Sequence, residues 1–296
     1  MNVATQNNTQ KSYSIVIPAY NEALGIGHVL EEILALKINR LFEIIVVDDS
    51  STDETAEITK KFPIVLIHNI QNSGYGYSLK QGVRNAKYEN IIITDADGTY
   101  PVASIPELIE AYESGFDMIV GARQGKFYHG TIIKRIARFF FKKLSEFTAG
   151  RRIPDINSGL RVFRKDLAFK FFNTLSNGFS FTTTITLAFM LNSYNVKYIP
   201  IPYSKRSGSS KVRYLHDTLR SSQIIIEAII FYNPLKLFLL LIIFQVITGV
   251  LSLVIGYLFS IWLAMTIFLT VSVSLLLFGI GSTVVFLSSS KKNEKT

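Results

Sequence analysis

Cysteine is absent from the whole 296-residue sequence. This absence excludes a disulfide framework, a cysteine nucleophile, and zinc or iron–sulfur sites with cysteine ligands. Two nucleotide-binding patterns are missing as well. No G-x-x-x-x-G-K-[ST] sequence occurs, which excludes a P-loop, and the glycine turn Gly74–Leu79 ends in leucine where a dinucleotide-binding fingerprint needs its third glycine. Met1–Lys11 has no apolar segment, so we expect no signal peptide and a first domain in the cytosol.

Charged residues are missing from one long stretch, Leu237–Ser290. As one helix rising about 1.5 Å per residue, it would far exceed a hydrocarbon core of about 30 Å. The stretch therefore predicts two membrane spans, Pro234–Leu258 and Ile261–Leu287, joined by a tight turn. Lys236 precedes this stretch and Lys291 follows it, whereas the turn has no charge. The positive-inside rule then places both ends on the cytoplasmic face of a bacterial or archaeal inner membrane or of the endoplasmic reticulum.

The sequence before the two spans alternates between short apolar, β-branched runs and helical patterns. Strands are predicted at Tyr13–Pro18, Phe42–Val47, Ile64–Ile67, Asn90–Thr94, Met118–Val120 and Lys197–Ile201. The S-x-x-E spacing of Ser51 and Glu54 predicts a capping box where one of the helices begins. We interpret Asp155–Arg164 as a polar loop that leads into another helix. The alternation is typical of an α/β fold, a mostly parallel sheet with helices on both faces.

Acidic residues follow two of these strands directly. Asp95 and Asp97 follow Asn90–Thr94, and Asp48 and Asp49 follow the second strand. Open α/β sheets bind ligands beyond the carboxyl ends of their strands, so we expect these residues to meet at one crevice. Two carboxylates at i and i+2 can share one Mg²⁺ or Mn²⁺, which prefers oxygen ligands and often keeps substrate phosphates as further ligands. The alternative is an acidic turn after a strand, because Asp-Gly is also a turn signal.

The net charge of +9 indicates an anionic partner. Part of this charge lies in Thr131–Phe147, a helical pattern that combines aromatic and basic residues. The apolar positions are Ile132, Ile136, Phe139, Phe140, Leu144 and Phe147, and the basic ones are Lys134, Arg135, Arg138, Lys142 and Lys143. Such a helix is typical of a membrane surface, and the alternative is a core helix with a solvated basic side. Because the cations cluster beside membrane segments, we expect a lipid bilayer as partner and no nucleic acid.

A second basic segment, Tyr203–Arg213, follows the last predicted strand. Its glycine, serines and cations suit a phosphate-binding loop, and the alternative is a solvated basic loop. Its position before the predicted juxtamembrane helix Leu215–Tyr232 favours phosphate binding at the bilayer surface. We therefore divide the chain into a disordered tail (1–12), an α/β domain (13–214), the juxtamembrane helix (215–232), two spans (233–288) and a basic cytoplasmic tail (289–296).

Six segments together resemble, in order, the motifs of the family 2 glycosyltransferases. They are Ile17–Glu22, Val47–Asp53, Asp95–Asp97, Gly121–Arg123, Ser158–Arg161 and Arg206–Lys211. The resemblance spans about Tyr13–Lys211 and is to the polyprenyl-phosphate branch, typified by dolichol-phosphate mannose synthase. It implies a GT-A fold for the α/β domain. It also implies that a sugar passes from a nucleotide diphosphate sugar (a UDP-hexose, UDP-HexNAc or GDP-mannose) to undecaprenyl or dolichyl phosphate, with inversion at the anomeric centre.

The resemblance also implies roles for residues of this chain. The nucleotide-sugar site would contain Pro18, Tyr20, Glu22, Asp48, Asp49, Gly74 and Asp95; the metal would bind Asp95 and Asp97; the catalytic residues would be Asp97, Arg123 and Asp155; and the lipid phosphate would meet Arg135, Arg206 and Lys211. Two positions depart from the family pattern. Gly98 and Thr99 stand where the branch often has Leu-Gln, and Ser50 replaces the glycine that usually follows the Asp-Asp pair.

A phosphate acceptor makes modest demands on the enzyme. The second pKa of a phosphate monoester is near ~6, so the acceptor is already an anionic nucleophile at neutral pH and needs no strong base. The departing diphosphate needs charge stabilisation, which a metal and Arg123 would supply.

Two alternatives stay open, namely transfer to a glycolipid hydroxyl with Asp155 as base, and a non-catalytic membrane protein that binds nucleotide sugar. A processive polysaccharide synthase is set aside because such enzymes carry a Gln-x-x-Arg-Trp motif, whereas the one tryptophan of this sequence, Trp262, lies in the turn between the spans. The sequence leaves a homo-oligomer open.

Overall fold

The computed structural model describes residues 11–36, 40–125, 132–204, 223, 225–226, 229–230 and 234–293. The chain divides into two compact units, Met1–Ser221 and Ser222–Thr296. Arg206 and Lys211, most of the 1–12 tail and most of the predicted juxtamembrane helix lie outside the described residues.

Seven strands of the first unit form one sheet with the order β3-β2-β1-β4-β6-β5-β7. The strands are β1 (Tyr13–Ala19), β2 (Phe42–Asp48), β3 (Val65–His68), β4 (Asn90–Ile93), β5 (Met118–Gln124), β6 (Arg161–Arg164) and β7 (Val196–Pro202). β6 runs antiparallel to β4 and β5, and the other neighbouring pairs are parallel. The prediction of a mostly parallel sheet is confirmed. A helix does begin directly after Asp155–Arg164, at Lys165, but the prediction that the whole segment is a loop is wrong, because Arg161–Arg164 forms β6. The two arginines flank only two apolar residues, so the sequence shows no apolar run typical of a strand.

Helices connect the strands. They are α1 (Ile26–Leu34), α2 (Thr55–Thr59), α3 (Tyr75–Asn85), α4 (Ile105–Glu113), α5 (Ile132–Ala149), α6 (Lys165–Lys170) and α7 (Phe181–Leu191), with a short 3-10 turn at Val102–Ser104. The predicted capping box is wrong. Glu54 is the N-cap of α2 and makes no side-chain cap bond, whereas the Ser51 hydroxyl accepts a hydrogen bond from the Asn21 backbone N–H at 2.9 Å.

Apolar side chains cover both faces of the sheet, which explains the continuous β-branched run of β4. Ile92 belongs to a core cluster with residues of α1 and α4, whereas Ile91 and Ile93 belong to a second cluster with residues of α3 and α7. Successive residues of a strand face opposite sides, so a central strand with two covered faces needs an apolar residue at every position. The first charged positions after β4 are therefore at its carboxyl end, where Asp95 and Asp97 stand.

The second unit contains two long apolar helices, α8 (Pro234–Leu258) and α9 (Ile261–Asn293). Both are long and apolar enough to cross a membrane, over Leu235–Leu258 and Ile261–Val284, with a mean hydropathy of 2.8 and 2.3. The first predicted span matches α8, and the second begins where α9 begins. The two helices contact each other, and the Gln245 side-chain amide donates a hydrogen bond to the Ser272 hydroxyl at 2.7 Å.

Candidate active site

The loops that follow β1 and β2 are tied to each other by hydrogen bonds. The Thr52 backbone N–H donates to Asn21 Oδ1 at 2.7 Å, and the Glu22 N–H donates to the Thr55 hydroxyl at 2.8 Å. Pro18 lies beside Val47 in the β1–β2 register. The structure therefore brings the predicted nucleotide-site segment Pro18–Glu22 against the loop after Asp48 and Asp49. Tyr20 and Glu22 are partly exposed in this arrangement.

Asp48 is fully buried and bonded within the protein. One carboxylate oxygen accepts from the Ser51 backbone N–H at 3.2 Å, and the other lies 2.7 Å from His68 Nδ1. Ser50 has a φ of +62°, in the left-handed region that favours glycine. That conformation gives a physical reason for the glycine usual in the family.

Asp49 shapes the loop that leads into α3. Its Oδ1 accepts hydrogen bonds from the Asn69 side-chain amide at 2.7 Å and the Ser73 backbone N–H at 2.9 Å, and its Oδ2 accepts one from the Gly74 N–H at 2.8 Å. The side chain is only 3% exposed. Asp48, Asp49 and Gly74 thus hold the neighbouring loops, and their contact with a nucleotide stays a prediction.

Asp95 and Asp97 lie at the carboxyl end of β4, as expected. Asp97 is buried, and Asp95 is partly exposed. Asp95 Oδ1 accepts a hydrogen bond from the Tyr75 hydroxyl at 2.9 Å. Burial and the Asp95 charge raise the pKa of Tyr75 well above its ordinary value, so the phenol keeps its proton and remains the donor.

Thr99 occupies the position where the branch often has glutamine. Its hydroxyl donates to Asp97 Oδ1 at 2.6 Å, and its backbone N–H donates to the same oxygen at 3.0 Å. The Thr99 carbonyl accepts from the Ser204 N–H at 3.0 Å. Thr99 is therefore an orienting neighbour of Asp97, and it also links this loop to Ser204 at the beginning of the basic segment.

The two carboxylates fit a hard divalent cation by the chemistry of their oxygen atoms. Gly159 lies against Asp95, and a Cβ built there would stand 2.7 Å from Oδ1 and 2.8 Å from Oδ2. Glycine thus leaves room for the Asp95 carboxylate. Within the part of the chain that the structure describes, no group of three or more His, Cys, Asp or Glu side chains could hold a metal ion. A cation at Asp95 and Asp97 would therefore need further oxygen ligands, such as water or the phosphates of a substrate.

Arg123 and Asp155 form a buried, bidentate ion pair. Arg123 Nε donates to Asp155 Oδ2 at 2.7 Å and Arg123 Nη2 donates to Oδ1 at 2.9 Å, while the Arg123 backbone N–H also reaches Oδ2 at 3.1 Å. Their side chains are 15% and 3% exposed. Arg123 lies near the end of β5, and Asp155 precedes β6, so the sheet brings them together.

The ion pair fixes the charge of both groups. Burial raises the pKa of the Asp155 carboxyl, but the Arg123 charge and hydrogen bonds lower it, and the net direction is downward. Burial lowers the pKa of the Arg123 guanidinium, but Tyr100 and Asp155 raise it well above its ordinary value. Asp155 is therefore a carboxylate at neutral pH, already engaged by a cation. This environment suits a residue that orients Arg123 and opposes a role as general base.

Arg161 holds the loop that carries Asp155 and Gly159. Its guanidinium is fully buried and donates to the carbonyls of Ile156 and Ser158, each at 2.7 Å, and to the Thr186 hydroxyl at 2.6 Å. The Arg161 side chain thus ties β6 to the preceding loop and to α7. Sequence reasoning placed Arg161 in a family motif but gave it no role. The signal available in the sequence for a structural role was the charge of Arg161 between the two apolar residues Leu160 and Val162.

A family model described as glycosyl transferase family 2 matches residues 14–172. A dolichyl-phosphate hexose transferase from Haloferax volcanii is 30% identical over 200 residues, covering 67% of this chain and 86% of that relative. The chain belongs to the family 2 glycosyltransferases. A dolichol-phosphate mannosyltransferase from Pyrococcus furiosus is 32% identical over 173 residues, covering 52% of this chain and 46% of that relative.

The fold is GT-A, as the resemblance implies. Glucosyl-3-phosphoglycerate synthase from Mycobacterium tuberculosis, solved with Mn²⁺, uridine diphosphate and glucosyl-3-phosphoglycerate, matches with a TM-score of 0.56 and 19% identity. The match covers 74% of this chain and 79% of that one. The candidate site residues at the ends of β1, β2, β4 and β5 therefore all lie in the GT-A fold of this family 2 glycosyltransferase.

Helix α5 presents aromatic rings at the surface of this glycosyltransferase. Phe139, Phe140 and Phe147 are 56%, 66% and 39% exposed, whereas Ser145 and Thr148 are buried. Arg135 and Lys143 are exposed on the same helix. The core-helix alternative predicted that the phenylalanines would be buried, and these three are not. A helix with exposed aromatic rings beside cations is typical of one that lies on a membrane surface, so these exposures favour the membrane-surface interpretation of α5.

Proposed function

We propose that this protein transfers a sugar from a nucleotide diphosphate sugar to a polyprenyl phosphate at a membrane surface. The observation that carries the proposal is the grouping of two oxygen-donor carboxylates, Asp95 and Asp97, with the orienting groups Tyr75 and Thr99 in a family 2 glycosyltransferase. The names of the Haloferax and Pyrococcus relatives support a dolichyl-phosphate acceptor. The two apolar helices α8 and α9 support an anchor beside a lipid substrate.

A divalent cation, Mg²⁺ or Mn²⁺, is part of the proposal. Asp95 and Asp97 would hold it together with the diphosphate of the donor. When bound, such a cation neutralises charge that develops on a departing diphosphate. The chain contributes two preorganised carboxylates, each fixed by a neighbouring hydroxyl group.

Arg123 would contact a phosphate of the donor or of the acceptor through its guanidinium group, which the bidentate pair with Asp155 holds in one orientation. Asp155 would act as a positioning residue, because its carboxylate keeps Arg123 in one orientation. The acceptor phosphate would attack as an anion, so inversion in one displacement requires no base from the protein. Arg135, Arg206 and Lys211 would attract the lipid phosphate at the bilayer surface.

The experiment that tests this function is an extraction assay. The detergent-purified protein is incubated with Mg²⁺ or Mn²⁺, undecaprenyl or dolichyl phosphate, and a panel of labelled nucleotide sugars. We expect label in the organic phase for one donor, and its loss when EDTA is added. Organic-phase label that does not require the lipid phosphate would contradict the proposal.

We also propose that residues 13–214 form the catalytic domain, that residues 233–288 anchor it, and that both ends are cytoplasmic. Because the native sequence has no cysteine, a single introduced cysteine is the only thiol. With Ser260→Cys in the turn between α8 and α9, we expect a membrane-impermeant maleimide to label intact bacterial cells that express the protein. With Asn7→Cys, labelling should require permeabilised cells. The reverse pattern would contradict the orientation.

A further inference from the structure

Tyr75 connects the predicted metal site to a segment that no motif includes. It is the first residue of α3 and stands between Gly74 and Gly76. Its hydroxyl donates to Asp95 Oδ1 at 2.9 Å. The backbone of Gly159 is also so close to the Asp95 carboxylate that a Cβ there would clash. The carboxylate therefore has both a hydroxyl donor and a glycine backbone as close neighbours.

The ring of Tyr75 is itself held in place. The Phe179 ring stacks on it with the centroids 5.6 Å apart and the planes 17° from parallel. Phe179 belongs to residues 175–180, the segment between α6 and α7, which we call the 175–180 segment. A Cβ at Gly74 would stand 2.8 Å from the Asn177 carbonyl oxygen, and one at Gly76 would stand 2.2 Å from the Ser176 carbonyl oxygen. The two glycines thus permit the segment to contact the start of α3.

Further hydrogen bonds fasten the 175–180 segment to α3. The Tyr77 backbone N–H donates to the Asn177 carbonyl at 2.9 Å. Lys80, which is 7% exposed, donates through Nζ to Asn177 Oδ1 at 2.9 Å and to the Leu175 carbonyl. The position of Phe179 on Tyr75 is therefore determined by backbone and side-chain contacts together.

We infer that Tyr75 is a positioning residue for Asp95, and that Phe179 and the 175–180 segment hold Tyr75 for this task. The inference rests on the proposed function, in which Asp95 binds the divalent cation. Outer partners of metal ligands fix the orientation of a carboxylate before the metal arrives, and their loss typically lowers metal affinity by about 10–100-fold. Tyr75 has the position, the donor and the rigid support that this role requires.

The test is Mn²⁺ binding to the full chain in detergent, measured by electron paramagnetic resonance with uridine diphosphate and, separately, with guanosine diphosphate present. Tyr75→Phe retains the stacked ring and removes the hydroxyl. We expect the Mn²⁺ dissociation constant to rise about 10-fold or more. In steady-state assays the Mn²⁺ concentration for half-maximal rate should rise by a similar factor, and the rate at saturating Mn²⁺ should change much less.

Tyr112→Phe is the matched control. The Tyr112 hydroxyl also donates to a side chain, Asn90 Oδ1 at 2.9 Å, but Asn90 is at the opposite end of β4 from Asp95. Mn²⁺ affinity should be unchanged in this variant. Phe179→Leu provides a second measurement, because it removes the stacked ring without altering Tyr75 or Asp95. It should weaken Mn²⁺ binding in the same direction.

The outcomes separate the inference from the proposed function. Equal Mn²⁺ affinity in the wild type, Tyr75→Phe and Phe179→Leu would overturn the positioning role of Tyr75. Equal weakening by Tyr75→Phe and Tyr112→Phe would also overturn it, since any lost tyrosine hydroxyl would then suffice. No Mn²⁺ binding by the wild type with either uridine diphosphate or guanosine diphosphate would instead contradict the metal in the proposed function.

Discussion

Replacing Asp97 with asparagine is expected to reduce sugar transfer about a thousandfold or more, because a metal and its carboxylate ligands supply several kcal/mol of transition-state stabilisation. Asparagine has nearly the same size and keeps an oxygen that can accept the hydrogen bonds that Thr99 now donates. The substitution therefore removes charge with little change in packing. Initial rates with saturating donor and lipid phosphate measure the effect.

Asp117→Asn is the matched control for this experiment. Asp117 also lies next to a strand end and accepts a hydrogen bond from the Asn195 backbone N–H at 2.8 Å, but it precedes β5, whereas Asp97 follows β4. The control should transfer sugar at the wild-type rate. A folded Asp97→Asn protein, with the wild-type unfolding temperature and near wild-type transfer, would remove Asp97 from the mechanism.

Replacing Asp155 with asparagine should lower transfer about 100-fold at every pH without moving the pH profile, because it removes the orienting carboxylate of Arg123 and shifts the productive geometry. In the wild type, the rate with subsaturating lipid phosphate should rise through pH ~6, the second pKa of a phosphate monoester, and then level off. The lowered pKa of Asp155 puts its own titration below the ordinary aspartate range, outside this window. Transfer rates of the wild type and of Asp155→Asn between pH 5 and 9 would show whether the rate rises through pH ~6 and whether the substitution leaves the pH profile in place.

The lowered pKa of Asp155 also determines how the stability of the folded protein depends on pH. Because the folded-state pKa of Asp155 is lowered, its ion pair stabilises the fold above the unfolded-state pKa, and this stability is lost as the pH falls through the folded value. Asp155→Asn leaves Arg123 buried without its carboxylate, so thermal unfolding must be measured beside activity. Asp166→Asn is the control, since Asp166 forms a bidentate pair with Arg164 whose side chains are 50% and 44% exposed. If Asp155→Asn abolished an acid limb of the pH–rate profile and left Arg123 oriented, a base role and a hydroxyl acceptor would be favoured instead.

The elements that depend on local pattern were predictable from the sequence. Ile91–Ile93 is apolar at every position because both faces of the strand are covered, and the carboxylates after it are therefore at the carboxyl edge of the sheet, where open α/β sheets generally bind ligands. The uncharged stretch predicted α8 and the start of α9 for an equally local reason. The confirmed family and GT-A fold came from six short motifs in order, which need no knowledge of contacts.

Contacts between distant residues were not predictable. Strand β6 was missed because Arg161, a fully buried arginine, is rare in a strand core, and its acceptors come from a loop and from α7. The hydrogen bond from Tyr75 to Asp95 joins residues 20 positions apart, and the Arg123–Asp155 pair joins residues 32 apart. Nothing in local spacing marks either pair. These contacts exist because the sheet brings the ends of its parallel strands, and the start of the antiparallel strand β6, to one edge.

The most direct measurement compares two acceptors that differ by one phosphate. With the donor identified, the purified protein is given either a polyprenyl phosphate or the corresponding polyprenol, and labelled sugar is counted in the organic phase with and without EDTA. The account predicts transfer to the phosphate alone, with loss of that transfer in EDTA and in Asp97→Asn. Transfer to the polyprenol at a comparable rate, or transfer to the phosphate that persists without divalent metal, would contradict it.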